Sequence, residues 1–164
     1  MKPKTLFLIR HAKAEEFSFF QKDYDRNLMN KGITRAKHIA SKLKDVIRTE
    51  EEILVISSSA NRAIQTAHIF CDILNYPQNH IIQTQNIYEA HYLDILNEIN
   101  KVPDHIDTLF VFGHNPGLSN LTNELCNSYI ELKTSEAAQI ELLENFTFAE
   151  LSAGTAQLKK VFTE

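Results

Sequence analysis

The chain has 164 residues, enough for one domain with a substantial core, and its 43% hydrophobic and 23% charged composition excludes disordered and collagen-like classes. A formal charge of -4 gives no general attraction to nucleic acid or to anionic lipid, so neither nucleic acid nor membrane is an expected partner. Any phosphate chemistry must therefore gather its positive charge locally. Cys71 and Cys126 are the only cysteines, without CxxC spacing, so reduced and mostly buried thiols are expected rather than a disulfide. Lys2 and Lys4 precede an apolar stretch that stops at Arg10, too short for a signal-peptide core or a membrane span, and the expected location is the cytoplasm.

Thr5 to Ile9 is a continuous apolar run that cannot alternate faces, so it reads as a strand covered on both sides. Ile33 to Ile47 follows with Ile33, Ala36, Ala40, Leu43 and Ile47 on one helical face. Ile53 to Ile56 is a second buried strand, and Ala60 to Leu74 a second helix with Ala60, Ala63, Ala67, Phe70 and Leu74 aligned. Leu93 to Val102 gives a shorter helix, and Thr108 to Phe112 another buried strand. Strands alternating with helices imply parallel crossovers, hence a three-layer, doubly wound α/β fold: a mostly parallel sheet with helices on both faces. Ala137 to Leu143 and Ala156 to Phe162 lack intervening helices and read as an antiparallel C-terminal addition at one side of the sheet. No repeat or Pro/Gly linker divides the chain, so a single domain over 1–164 is expected.

Two of these strands end alike, in LFLIRHA and LFVFGHN. Groups just beyond the carboxyl ends of parallel strands line the ligand crevice of such a sheet, so His11 and His114 share that crevice if their strands are neighbours. One histidine at a strand end is most simply a hydrogen-bonded structural residue; two, with Arg10 beside one, favour a common pocket. The strand ILVISS runs into Ser59, Ala60, Asn61 and Arg62, where Ser59 or Asn61 can cap a helix whose free N–H groups suit an anion. A first-turn arginine opposes the helix dipole, and a bound phosphate explains Arg62 better than a solvated surface does.

LIRHAKAEE, DYDRNLMNKG, SSSANRAIQTA, IYEA and FGHNPGLSNL, in this order, resemble the histidine phosphatase superfamily, in particular its short SixA-type phosphohistidine phosphatase branch. The resemblance runs from Thr5 to about Leu125. It implies that His11 is a nucleophile that becomes phosphohistidine, that Arg10 and Arg62 hold phosphoryl oxygens, and that His114 completes the pocket. Ala12 stands where the superfamily usually has glycine, a form common in the SixA-like branch. Ser59 and Asn27 stand where proline is frequent, which concerns loop stiffness more than chemistry.

The residue types fit that chemistry. Arginine forks match phosphoryl oxygens, and a histidine nucleophile must be neutral, with its other ring nitrogen donating to a fixed acceptor such as a backbone carbonyl. Nearby arginines are expected to depress its pKa. No HExxH, HxH or carboxylate–histidine ligand spacing appears, so neither a metal nor another cofactor is expected. Glu89, in IYEA after an expected strand, is the candidate acid for the leaving group, a solvated glutamate being the alternative. Lys13 and Arg26 could extend a positive rim or lie solvated. The favoured reading is a metal-independent phosphatase acting on a phosphohistidine-bearing protein. A phosphatase of small metabolite esters and a non-catalytic phosphate-binding module are the alternatives.

Overall fold

The computed structural model describes residues 2–48 and 50–164. Its strands are β1 (Thr5–Arg10), β2 (Ile53–Ser58), β3 (Ile82–Thr84), β4 (Thr108–Gly113), β5 (Ala137–Leu142) and β6 (Ala156–Phe162). Its helices are α1 (Asn30–Lys44), α2 (Asn61–Leu74), α3 (Tyr92–Ile99) and α4 (Gly117–Cys126). One six-stranded sheet has the order β3-β2-β4-β1-β5-β6. β1 to β4 run parallel to one another, and β5 and β6 join antiparallel beside β1. This is the expected α/β architecture with its antiparallel addition.

The continuous apolar strands are buried on both faces because successive side chains feed different cores. Leu6 and Leu8 face the cluster that holds Ile95 and Ile99 of α3 and Leu118, Leu121 and Leu125 of α4. Phe7 and Ile9 face the opposite cluster, with Ala36, Ile39, Ala40 and Leu43 of α1 and Ala67, Phe70 and Cys71 of α2. Phe7 stacks on Phe110 across the β1–β4 pair at 4.8 Å between ring centroids, each ring contributing roughly 2–3 kcal/mol through burial. α1 ends on Lys42 and Lys44, which suit the negative end of its dipole. α2 and α4 end on Asn75 and Asn127 in the left-handed conformation, a common helix stop.

Two elements depart from the sequence reading. β3, the strand expected ahead of Glu89, is only a three-residue edge strand with two exposed positions rather than a buried run. α4 carries Leu118, Leu121 and Leu125 at helical spacing, but its Pro116–Gly117 start reads as a turn. Both cysteines are free, Cys71 buried and Cys126 partly so.

The topology locates a crevice. β1 and β4 are neighbours in register, Arg10 opposite Gly113, yet α1 follows β1 on one face while α4 follows β4 on the other. Loops that leave adjacent carboxyl ends in opposite directions mark the place where the ligand crevice of such a sheet lies.

Candidate active site

His11 and His114 follow directly on that paired register, and their ring centroids lie 5.2 Å apart. The His11 backbone N–H donates to the Gly113 carbonyl at 3.0 Å, tying the end of β1 to β4. The His11 ring places Nδ1 2.8 Å from the Ala12 carbonyl. A carbonyl only accepts, so Nδ1 carries the proton and Nε2 presents its lone pair to the cleft. Arg62 Nε donates toward that Nε2 at 3.4 Å.

Arg62 comes from the first turn of α2 and is 1% exposed. Its Nη1 donates to the Asp23 carbonyl at 2.8 Å, and its Nη2 to Asp23 Oδ2 at 3.0 Å and Glu89 Oε1 at 2.8 Å. Thr66, one turn further along α2, donates to the Arg62 carbonyl at 2.7 Å and accepts from the Ala12 N–H at 2.9 Å. That hydroxyl fixes the spacing between α2 and the segment carrying His11.

His114 is buried, its Nε2 2.8 Å from Ser58 Oγ at the end of β2. Its Nδ1 has no hydrogen-bond partner among the described residues and lies 3.5 Å from Glu89 Oε1. Arg10 donates through Nη1 to the Leu132 carbonyl at 3.1 Å, and its Nε is likewise buried and unpartnered among the described residues. Buried polar atoms without partners are costly, and the Arg10 Nε–H, together with His114 Nδ1 in the tautomer protonated there, is what an anion with several acceptor oxygens would satisfy.

Glu89 reaches the cluster from a strained backbone, with φ at 49°. The neighbouring Ala90 carbonyl packs against Gly117 so closely that a Cβ there would lie 2.4 Å from it. Glycine at the start of α4 thus lets the Glu89 segment approach His114.

Electrostatics follow from this enclosure. Burial, then Arg62 and Arg10, drive the His11 pKa down to about 4, against the raising effect of the Ala12 carbonyl. Burial, then His11 and Arg62, drive His114 down to about 3. The arginines act in the expected direction, but burial is the larger cause. Burial alone would raise Asp23, yet the Tyr88 hydroxyl, donating at 2.6 Å, and Arg62 outweigh it and hold that carboxyl down at about 2.

The structure therefore brings His11, Arg62, His114 and Glu89 into direct contact, with Arg10 on the adjoining residue. Two expectations are corrected. Neither Ser59 nor Asn61 caps α2; Ala60 occupies that position without a side-chain bond. Ser59 Oγ is taken by the Tyr24 hydroxyl at 2.5 Å, and the Asn61 amide by the Asp25 carbonyl at 3.1 Å. Arg26 is not a free rim cation but clamps Asp23 Oδ1 at 2.8 Å, whereas Lys13 is exposed. Asp23, Tyr88, Ser58 and Thr66 complete the cluster without having been expected. Thr66 was detectable, four residues after Arg62 on the same helix face.

A sequence profile described as "Histidine phosphatase superfamily (branch 1)" matches residues 6–104, more than half of the chain. The chain belongs to that superfamily. An uncharacterized Mycobacterium tuberculosis protein is 33% identical over 114 residues, covering 69% of this histidine phosphatase chain and 66% of the relative's own length. A structure from Nakamurella multipartitia, assigned as the phosphohistidine phosphatase SixA, superimposes with TM-score 0.84 at 22% identity, covering 98% of this chain and 96% of that one. A protein histidine phosphatase SixA complexed with tungstate gives TM-score 0.79 at 21% identity, over 97% and 96% of the two chains. At these identities the two structures establish a shared histidine phosphatase fold.

Proposed function

We propose that this histidine phosphatase superfamily member is a metal-independent cytoplasmic phosphatase of the SixA type that removes phosphoryl groups from protein phosphohistidine through a covalent intermediate on His11. The observation that carries the reading is the His11 ring itself. Its Nδ1 is held by the Ala12 carbonyl, and its Nε2 faces Arg62, beside His114.

In this scheme Arg10, Arg62 and His114 bind the phosphoryl oxygens, and the His11 Nε2 lone pair attacks phosphorus in line. The bond to the leaving group breaks as the N–P bond forms, and Glu89 supplies the proton where the leaving group needs one. Water then attacks the phosphorus of the phosphohistidine, the Nε2–P bond breaks to return neutral His11, and inorganic phosphate departs carrying the water's protons. The arginines meet the phosphoryl charge, so no metal is assigned a role. A neutral His11 at pH 7 agrees with nucleophilic attack.

Protein phosphohistidine is favoured because the segment from Glu89 to Asp107 carries only the eight-residue α3, packed on α4 rather than forming an inserted lid. A phosphoryl group standing on a protein surface needs such an approach. The placement of Glu89 favours a second reading, a small phosphate ester, since an alkoxide leaving group needs an acid more than imidazole does. The kcat/KM for a histidine-phosphorylated protein and for alkyl phosphates, measured side by side, tests the choice. A preference for the phosphoprotein is expected; a preference for an alkyl phosphate would replace the first reading with the second.

A further inference from the structure

Phe17, Phe19 and Phe20 are 65%, 94% and 100% exposed on one short loop. Phe17 and Phe19 pack edge-on against each other at 5.5 Å instead of entering a core. The loop is not loose. Its neck is closed by a bridge between Ala14 and Leu28, by the Glu15 N–H to the Asn27 carbonyl at 2.8 Å, and by Arg26 Nη1 to the Glu15 carbonyl at 2.6 Å. Ser18 Oγ braces the tip by accepting from the Phe20 N–H at 3.1 Å. The same loop then supplies Asp23, whose carbonyl and carboxylate grip Arg62.

Resting on the phosphohistidine reading above, we infer that these three phenylalanines are a docking surface for an apolar patch beside the phosphohistidine of the protein substrate. Proximity is the first reason. Two residues separate Phe20 from Asp23, at most ~11 Å of chain, so the rings lie within reach of a protein that presents its phosphoryl group to His11, whereas a small metabolite need not extend to them. Size is the second. Three phenylalanines offer roughly 400–600 Å², below the ~800 Å² per partner of a stable complex. That suits a substrate that must leave and not a permanent dimer of this chain. Charge is the third: exposed Glu15 and Glu16 are balanced by exposed Lys13 and Lys22 on the same loop, so no net positive charge draws it to an anionic bilayer, and an uncharged protein patch is the fitting occupant. Contiguous exposed aromatics of this kind mark interaction sites.

The test compares the parent protein with the combined Phe17→Ser, Phe19→Ser and Phe20→Ser variant on two probes. These are para-nitrophenyl phosphate and a histidine phosphotransfer domain phosphorylated with phosphoramidate. The aryl phosphate should be turned over equally by both proteins. On the phosphoprotein the variant should lose roughly 30-fold in kcat/KM, mainly through KM, and leucine at the three positions should restore most of it. An unchanged phosphoprotein rate, or an equal loss on both probes, overturns the docking surface while leaving the substrate reading intact. A parent protein active on the aryl phosphate but not on the phosphoprotein overturns both. A parent dimer, or binding to anionic phosphatidylserine vesicles, that disappears in the variant assigns the patch to a second copy or a bilayer and overturns the proposal.

Discussion

Arg62→Ala separates what the arginine does for chemistry from what it does for the fold. The side chain is 1% exposed and donates to Asp23 twice, to Glu89 and to His11. Losing one preorganised donor to the phosphoryl oxygens costs on the order of 3 kcal/mol in the transition state, about a hundredfold in kcat. Stability suffers less than for a fully buried pair, because Asp23 and Glu89 retain 34% and 49% side-chain exposure and water can solvate them in place. About 2 kcal/mol is expected, below the roughly 3–5 kcal/mol for breaking a fully buried ion pair, which lowers Tm by roughly 4–8 °C at this chain length. Aryl phosphate kinetics well below the variant's Tm, paired with calorimetric melting, read the two effects separately. A folded Arg62→Ala protein with parental kcat would refute the role given to this side chain; a rate loss explained wholly by unfolding would refute the division.

Glu89→Gln should slow alkyl phosphate hydrolysis by about tenfold or more while sparing a phosphohistidine substrate; equal losses on both would remove the proton-donor role. The histidines make stability acid-sensitive. Their folded pKa values, about 4 and about 3, lie below 6.5, so the unfolded chain binds protons that the folded chain refuses. Stability should be fully present above pH 6.5 and fall as pH drops toward 4, by up to about 1.4 kcal/mol per pH unit for each histidine. Urea unfolding between pH 7 and 5 measures that slope, which should flatten in His114→Ala; an unchanged slope would show that His114 is not held neutral. Activity should survive dialysis against a chelator and be inhibited by vanadate; loss restored by Zn²⁺ or Mg²⁺ would overturn the metal-free scheme.

The strands that carry the site were legible because burial on both faces writes itself as an unbroken apolar run. LFLIRHA and LFVFGHN then located both histidines before any geometry was known. β3 left a fainter trace with no bounds, since two exposed residues and one partly buried one at a sheet edge have no period to detect. α4 did carry its leucines at helical spacing, and its Pro-Gly start hid them. Asp23 was hidden for another reason. It sits in an irregular loop and acts through its backbone carbonyl as much as its carboxylate, and a carbonyl has no sequence signature. The helix cap was misread because Ser59 and Asn61 have capping chemistry, but the Asp23 loop claims both side chains.

The central claim is that His11 carries the phosphoryl group. Rapid quench of the parent protein with radiolabelled phosphoryl substrate should trap an acid-labile, base-stable phosphoenzyme that forms and decays fast enough to account for turnover. His11→Ala, folded to the same circular dichroism spectrum, should trap none. A phosphoenzyme of the same lability in His11→Ala would contradict the account and move the nucleophile elsewhere, with His114 the first residue to test.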